Sequence, residues 1–222
     1  MNNESIVRLK RSIFPLAALC GIPYKAAKGN EEAQYKLGLI LASGKGLKQD
    51  YKEAFKWYKK AAEQGYLDAQ IALSAMFQFG KGVKQDYAEA FKWTKKAAEQ
   101  GHVDSQITLG TMYANGEGVK QDYSEAYKWY FKAAERGNAQ ALFNLGIMYF
   151  NGEGVKKDYF AAVEWYKKAS DLGYAKAQYN LGVMCKLGIG IRQDYAKAKE
   201  YFGLACDNKY QDGCDMYREL NQ

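Results

Sequence analysis

The sequence predicts an all-α solenoid of five helix-turn-helix repeats with capping helices at both ends. Three observations carry that expectation. One stretch, GHVDSQITLGTMYANGEGVKQDYSEAYKWYFKAAER over 101–136, is copied along the chain: copies begin at Gly29, Gly65, Gly101, Gly137 and Gly173, each 36 residues after the last. Self-similarity at such a period marks units that bury their faces against their neighbours. Within each copy, apolar residues stand three and four apart, which lays one stripe along a helix. Finally, the 222 residues include only two prolines, with 48% apolar and 15% aromatic residues, a composition that suits helices sharing a core. The boundaries follow from the period: an N-terminal segment 1–28, repeats at 29–64, 65–100, 101–136, 137–172 and 173–208, and a C-terminal capping helix over 209–222.

The N-terminal segment carries two readings. Arg8, Lys10 and Arg11 precede an apolar run from Ile13 to Ile22, the order of a secretory signal. Ala18-Leu19-Cys20 is the nearest approach to a cleavage site, and Leu19 departs from the small residue that a lipoprotein box places before its cysteine. The other reading is a helix covering the apolar end of repeat one, and Tyr24-Lys-Ala-Ala-Lys-Gly29 echoes the end of a second helix at 58–65. The first reading implies a periplasmic or secreted protein, the second a cytoplasmic one. After this segment no apolar run approaches the roughly 20 residues of a spanning helix.

The first helix of each repeat has a small residue at position 5 (Ala33, Ala69, Ser105, Ala141, Ala177), leucine at position 9 (Leu37, Leu73, Leu109, Leu145, Leu181) and another small residue at position 10 (Gly38, Ser74, Gly110, Gly146, Gly182). Glycine inside a helix costs up to about 1 kcal/mol against alanine, so its recurrence predicts close approach of the second helix. A Gly-x-Gly turn follows in all five repeats, as at Gly80 and Gly82, with an apolar residue after it (Leu47, Val83, Val119, Val155, Ile191) to pin the loop. The first glycine suits the left-handed end of a helix. Without a preceding strand, a third glycine or a Gly-Lys-Ser/Thr, the pair is no phosphate loop. The second helix opens on Asp50, Asp86, Asp122, Asp158 or Asp194, each predicted as an N-cap. Glu53, Glu89 and Glu125 three residues on predict a capping box in the first three repeats. Ala54, Trp57, Tyr58 and Ala61 then stand at core spacing.

Leu-Gly, Asn115-Gly-Glu-Gly-Val119 or Asn151-Gly-Glu-Gly-Val155, and Asp-Tyr-x-x-Ala-x-x-Trp-Tyr-x-Lys-Ala-Ala together resemble the Sel-one-like repeat (SLR) family. These are relatives of tetratricopeptide repeats with a longer inter-helix loop. The resemblance covers all five repeats. It implies a right-handed α/α superhelix whose concave groove is lined mainly by first helices, and an adaptor that assembles complexes, many such proteins being bacterial. Repeat five departs from the pattern: Tyr201-Phe202 replaces Trp-Tyr, and Cys206 takes an alanine place, with Cys214 eight residues on. This spacing resembles the cysteine-rich Hcp-type subgroup, which implies a disulfide between Cys206 and Cys214 in an oxidising compartment. The alternative is two small buried thiols.

No chemistry emerges from the motifs. His102 is the only histidine and has no cysteine cluster near it, so no metal site, cofactor or catalytic triad is expected. Hcp-type proteins carry β-lactamase and penicillin-binding labels, so a hydrolase of that kind is an alternative; however, the chain has no Ser-x-x-Lys and no Lys-Thr-Gly. The net charge of +7 comes partly from lysines in register, before the second helix (Lys48, Lys84, Lys120, Lys156, with Arg192) and late in it (Lys60, Lys96, Lys132, Lys168). Such a ridge is either a solvated face or an anion-binding surface. No nucleic acid is expected, because the tyrosines and tryptophans fall at packing positions. By analogy with tetratricopeptide grooves, a peptide or protein ligand would meet Gln78, Phe79, Thr111, Asn115, Phe143, Phe150, Asn151, Tyr179 and Lys186, with Phe79 and Phe150 as anchors. The expected species is a monomeric, non-catalytic scaffold.

Overall fold

The computed structural model describes residues 21–45 and 48–221. The signal reading of 1–20, and the turn and pin readings of Gly46 and Leu47, lie outside the described residues. All regular structure among the described residues is helical: α1 (Ile22–Ala27), α2 (Glu31–Ser43), α3 (Tyr51–Glu63), α4 (Leu67–Phe79), α5 (Tyr87–Glu99), α6 (Val103–Asn115), α7 (Tyr123–Ala134), α8 (Ala139–Asn151), α9 (Tyr159–Asp171), α10 (Ala175–Leu187), α11 (Tyr195–Asp207) and α12 (Gln211–Glu219). Each repeat is one helix pair, from α2–α3 to α10–α11. Two compact units result, one of 21–105 with 117–119 and one of 106–116 with 120–221.

Each pair is cut to length by the residues that the period repeats. Gly80, at φ 65°, ends α4 by donating its N–H to the carbonyl of Met76, a conformation that costs an L side chain roughly 1–2 kcal/mol. Asp86 then starts α5 by accepting the N–H groups of Ala88 and Glu89, and the other four aspartates cap in the same way. The capping box does not form. The cap aspartate's own N–H goes instead to a first-helix carbonyl, Asp86 to Phe77 and Asp158 to Tyr149, both at 2.9 Å. Glu53, Glu89 and Glu125 turn outward and pair with Lys56, Lys92 and Lys128.

The small residue at position 10 is there for helix contact, as expected. A Cβ on Gly38 would lie 2.7 Å from the ring of Tyr58, and one on Gly182 would lie 2.6 Å from that of Phe202. Repeat two solves the same contact with a different pair, the buried hydroxyls of Ser74 and Thr94 at 2.5 Å.

In unit one the core runs through Ala33, Leu37, Trp57, Tyr58, Leu73 and Trp93. Helix α1 packs on it through Ala26 and Ile22, and the Ala26 carbonyl accepts Gln34 Nε2 at 3.2 Å just as the Ala62 carbonyl accepts Gln70 Nε2 at 3.3 Å. Those buried glutamines form a ladder that sequence reasoning missed: Gln64 donates to Gln34 Oε1, and Gln100 to Gln70 Oε1, both at 2.8 Å. In unit two Asn208 donates to Gln178 at 3.0 Å, while in repeat four the two positions are Leu142 and Leu172. Helix α12 closes unit two against α11, with Cys206 and Cys214 at disulfide distance, Cα atoms 4.5 Å apart, as the resemblance implied.

Candidate functional site

In unit two the first helices α8 and α10 line a common cleft. Ile147, Phe150 and Asn151 from α8, with Asn180, Val183 and Met184 from α10, line a cleft of about 250 Å³ that reaches the Tyr166 side chain of α9. Burial pushes the Tyr166 phenol up to about 12, opposed by a hydrogen bond with Asn180, so it is a neutral donor and acceptor near pH 7. Phe150 is half-buried, its ring edge-on to Tyr159 at 5.1 Å. Asn151 is exposed and donates to Glu153 at 3.2 Å. The cleft therefore offers apolar walls with two carboxamides at its edge.

Other residues expected on the groove face are held by intramolecular contacts. Phe143 sits between Tyr166 and Tyr174, with ring centroids at 5.6 and 5.1 Å, and Tyr179 sits between Phe202 and Tyr210 at 5.6 and 5.4 Å. Thr111 bonds the Tyr130 hydroxyl at 3.0 Å. Lys186 pairs with Glu219 of α12 at 2.8 Å. Asn115 is exposed. In unit one, Phe79 at the end of α4 is 64% exposed, and the carbonyl of half-buried Gln78 accepts the Gln85 side-chain amide at 2.7 Å.

Two further sequence readings acquire structural roles. The lysines late in the second helices sit over indole rings, Lys96 over Trp93 at 4.3 Å and Lys168 over Trp165 at 4.3 Å; each such contact is worth about 0.5–1 kcal/mol at an exposed site. Both lysines are exposed. His102 accepts the Ser105 N–H at 3.2 Å and meets its hydroxyl at 2.9 Å, which closes the first turn of α6. Among the tyrosines after the cap aspartates, Tyr51 packs against the core of unit one, whereas Tyr87 and Tyr195 depart from that role: they are 41% and 56% exposed, with their hydroxyls against loop glutamines.

The Sel1 repeat model matches residues 31–66, 67–102, 103–138, 139–174 and 175–210. The chain belongs to the Sel1 repeat family. The matched frame starts two residues after the glycine-to-glycine frame and has the same period. Among solved structures, the Sel1 repeat protein of Oxalobacter formigenes is similar over 99% of this chain and 87% of its own, at 30% identity and a TM-score of 0.81. The c5321 protective antigen of uropathogenic Escherichia coli, which displays an SLR fold, is 36% identical over 93% of this chain with a TM-score of 0.75; this chain spans about half (49%) of its length. A Sel1 repeat protein of Klebsiella pneumoniae matches 92% of this chain and 99% of its own, at 26% identity and a TM-score of 0.51. No curated protein matches. Sel1 repeat solenoids are typically protein-interaction scaffolds rather than enzymes. Among the described residues no helix is long and apolar enough to cross a membrane.

Proposed function

We propose that this Sel1 repeat chain is a non-catalytic adaptor that grips a protein segment on the first-helix face of repeats four and five. The observation that carries the reading is the cleft between Phe150, Asn151 and Asn180. Its volume of about 250 Å³ lies below the roughly 300–1,000 Å³ of small-molecule sites. That size suits one apolar side chain of a polypeptide. Asn151 and Asn180 bring carboxamides to the cleft, where they meet Glu153 and Tyr166, and polar groups at an apolar socket fix orientation. Phe79, exposed on unit one, is a second apolar contact point for the same class of ligand.

The test is a photo-crosslinking experiment in the native cell with benzoylphenylalanine in place of Phe150. A discrete adduct carrying a second protein, lost when Asn180→Ala is added, is the expected result. Crosslinking confined to water and the chain itself, with the fold intact by circular dichroism, removes the cleft as a binding site.

A further inference from the structure

The five repeats are five versions of one structure in one chain. A residue that departs in a single repeat, and gains no packing by departing, points to a role outside the fold. Repeat four departs twice at one place, the loop between α8 and the start of α9. In the other repeats this loop is closed by a glutamine: Gln49, Gln85, Gln121 and Gln193 donate to the carbonyls of Ala42, Gln78, Ala114 and Lys186 at 2.8, 2.7, 2.7 and 2.9 Å. Repeat four has Lys157 there. Three residues on, where the others have Lys52, Ala88, Ser124 and Ala196, it has Phe160. Phe160 is 74% exposed, so the ring is not there to fill the core.

The surroundings make these departures into one surface. Lys156 and Lys157 are exposed, and neither has an ion-pair partner among the described residues. Lys157 Nζ lies 5.4 Å from the centroid of the Tyr159 ring. The nearby acids are engaged: Asp158 accepts the N–H groups of Phe160 and Ala161 at 2.9 and 3.0 Å, Glu164 pairs with Lys167 at 2.8 Å, and Glu153 accepts from Asn151. An open cleft of about 610 Å³ runs past Tyr149, Lys156, Lys157, Phe160 and Gly190. Two cations that form no ion pair among the described residues, beside an uncovered aromatic ring, are complementary to carboxylates beside an apolar side chain.

We propose that this loop face binds an acidic peptide segment that carries a large apolar side chain. Lys156 and Lys157 meet its carboxylates, and Phe160 with Tyr159 meets the apolar side chain. The two faces meet where Tyr159 lies against Phe150 at 5.1 Å, but Lys156, Lys157 and Phe160 do not line the first-helix cleft, so variants at these three positions distinguish failure of this surface from failure of that reading.

The test uses the full chain, immobilised, with random peptides of a dozen residues selected on it by display and counter-selected on a Lys156→Ser/Lys157→Ser/Phe160→Ser variant. Enriched peptides are expected to combine Asp or Glu with an aromatic or leucine. Their affinity is expected to fall at least tenfold for Lys156→Ser/Lys157→Ser and at least tenfold for Phe160→Ser. Lys120→Ser, the matching loop lysine of repeat three, is expected to change it less than twofold. All the altered side chains are exposed, so circular dichroism should be unchanged. The proposal is overturned if no peptide is enriched, if the enriched set lacks acids, or if the triple variant binds it equally well. Equal loss with Lys120→Ser would assign the effect to a general basic ridge. Phe160-dependent binding to vesicles of phosphatidylglycerol and phosphatidylcholine, with no acidic peptide selected, would assign the face to a membrane and also overturn it.

Discussion

The contact between Gly38 and Tyr58 can be exchanged for the one between Ser74 and Thr94, and the exchange tests whether the repeat encodes its packing in pairs. A Cβ at position 38 would lie 2.7 Å from two ring carbons of Tyr58, where carbon atoms prefer about 3.5–4.0 Å. The ring has little room to yield: Tyr58 is 4% exposed and lies against Tyr35 at 5.6 Å. Overpacking costs about 1–3 kcal/mol, and leaving glycine in a helix returns at most about 1 kcal/mol. Gly38→Ser should therefore destabilise by about 1–2 kcal/mol. Tyr58→Thr removes a buried ring and should cost about 3–5 kcal/mol, as other large-to-small core changes do. Together the two changes recreate the 2.5 Å hydroxyl pair of repeat two, which removes the clash and satisfies both hydroxyls. The double variant should then lose at least about 1.5 kcal/mol less than the sum of the singles. Urea unfolding followed by helical circular dichroism gives the three values, provided that the slope is the same in each. Additivity to within about 0.5 kcal/mol, the behaviour of independent sites, would refute the pairing argument.

Three further outcomes follow from the structure. Gln70→Leu removes two hydrogen bonds, the one from the exposed Gln100 side chain and the one to the Ala62 carbonyl, each worth about 0.5–1.5 kcal/mol, and should cost about 1–3 kcal/mol, while Gln70→Leu/Gln100→Leu, which copies the Leu142 and Leu172 pair and makes both partners apolar, should cost less than the single change in the same unfolding assay. Burial pushes Tyr58 and Tyr166 up to about 12, and burial with the Tyr149 hydroxyl does the same to Tyr127. A raised folded value favours the protonated phenol, so stability should be constant below the ordinary value of about 10 and lost as pH climbs from there towards 12. Phenolate absorbance and helical dichroism should change together, and titration of every tyrosine near 10 with the helices intact would contradict this. A bridge between Cys206 and Cys214 closes a short loop and should contribute about 2–3 kcal/mol; Cys206→Ala/Cys214→Ala should speed amide exchange in α12 above all, with α2 to α5 unaffected.

The helix boundaries, the cap aspartates and the glycine contacts were legible in the sequence because each is a one-residue requirement repeated in register. What stayed hidden was relational. Position 7 holds Tyr35, Ile71, Ile107, Phe143 and Tyr179. Taken one at a time, Phe143 and Tyr179 look like variable groove residues; taken with Tyr66, Tyr174 and Tyr210 they are rings wedged between one repeat and the next. The glutamine ladder has the same character. Gln34 and Gln70 read as surface residues on a helix until Gln64 and Gln100, 30 positions on, are seen to donate to them. The joint replacement by Leu142 and Leu172 was the available signal, because a buried amide without its partner costs more than an apolar pair. The late lysines likewise read as a charged ridge when taken alone and as lids on Trp57, Trp93, Trp129 and Trp165 when taken with the residue three before them. A partner-binding residue has no second position within the chain to match, and Phe160 is of that kind: its break with the register, with no compensating change to pack against it, is what separates it from the fold.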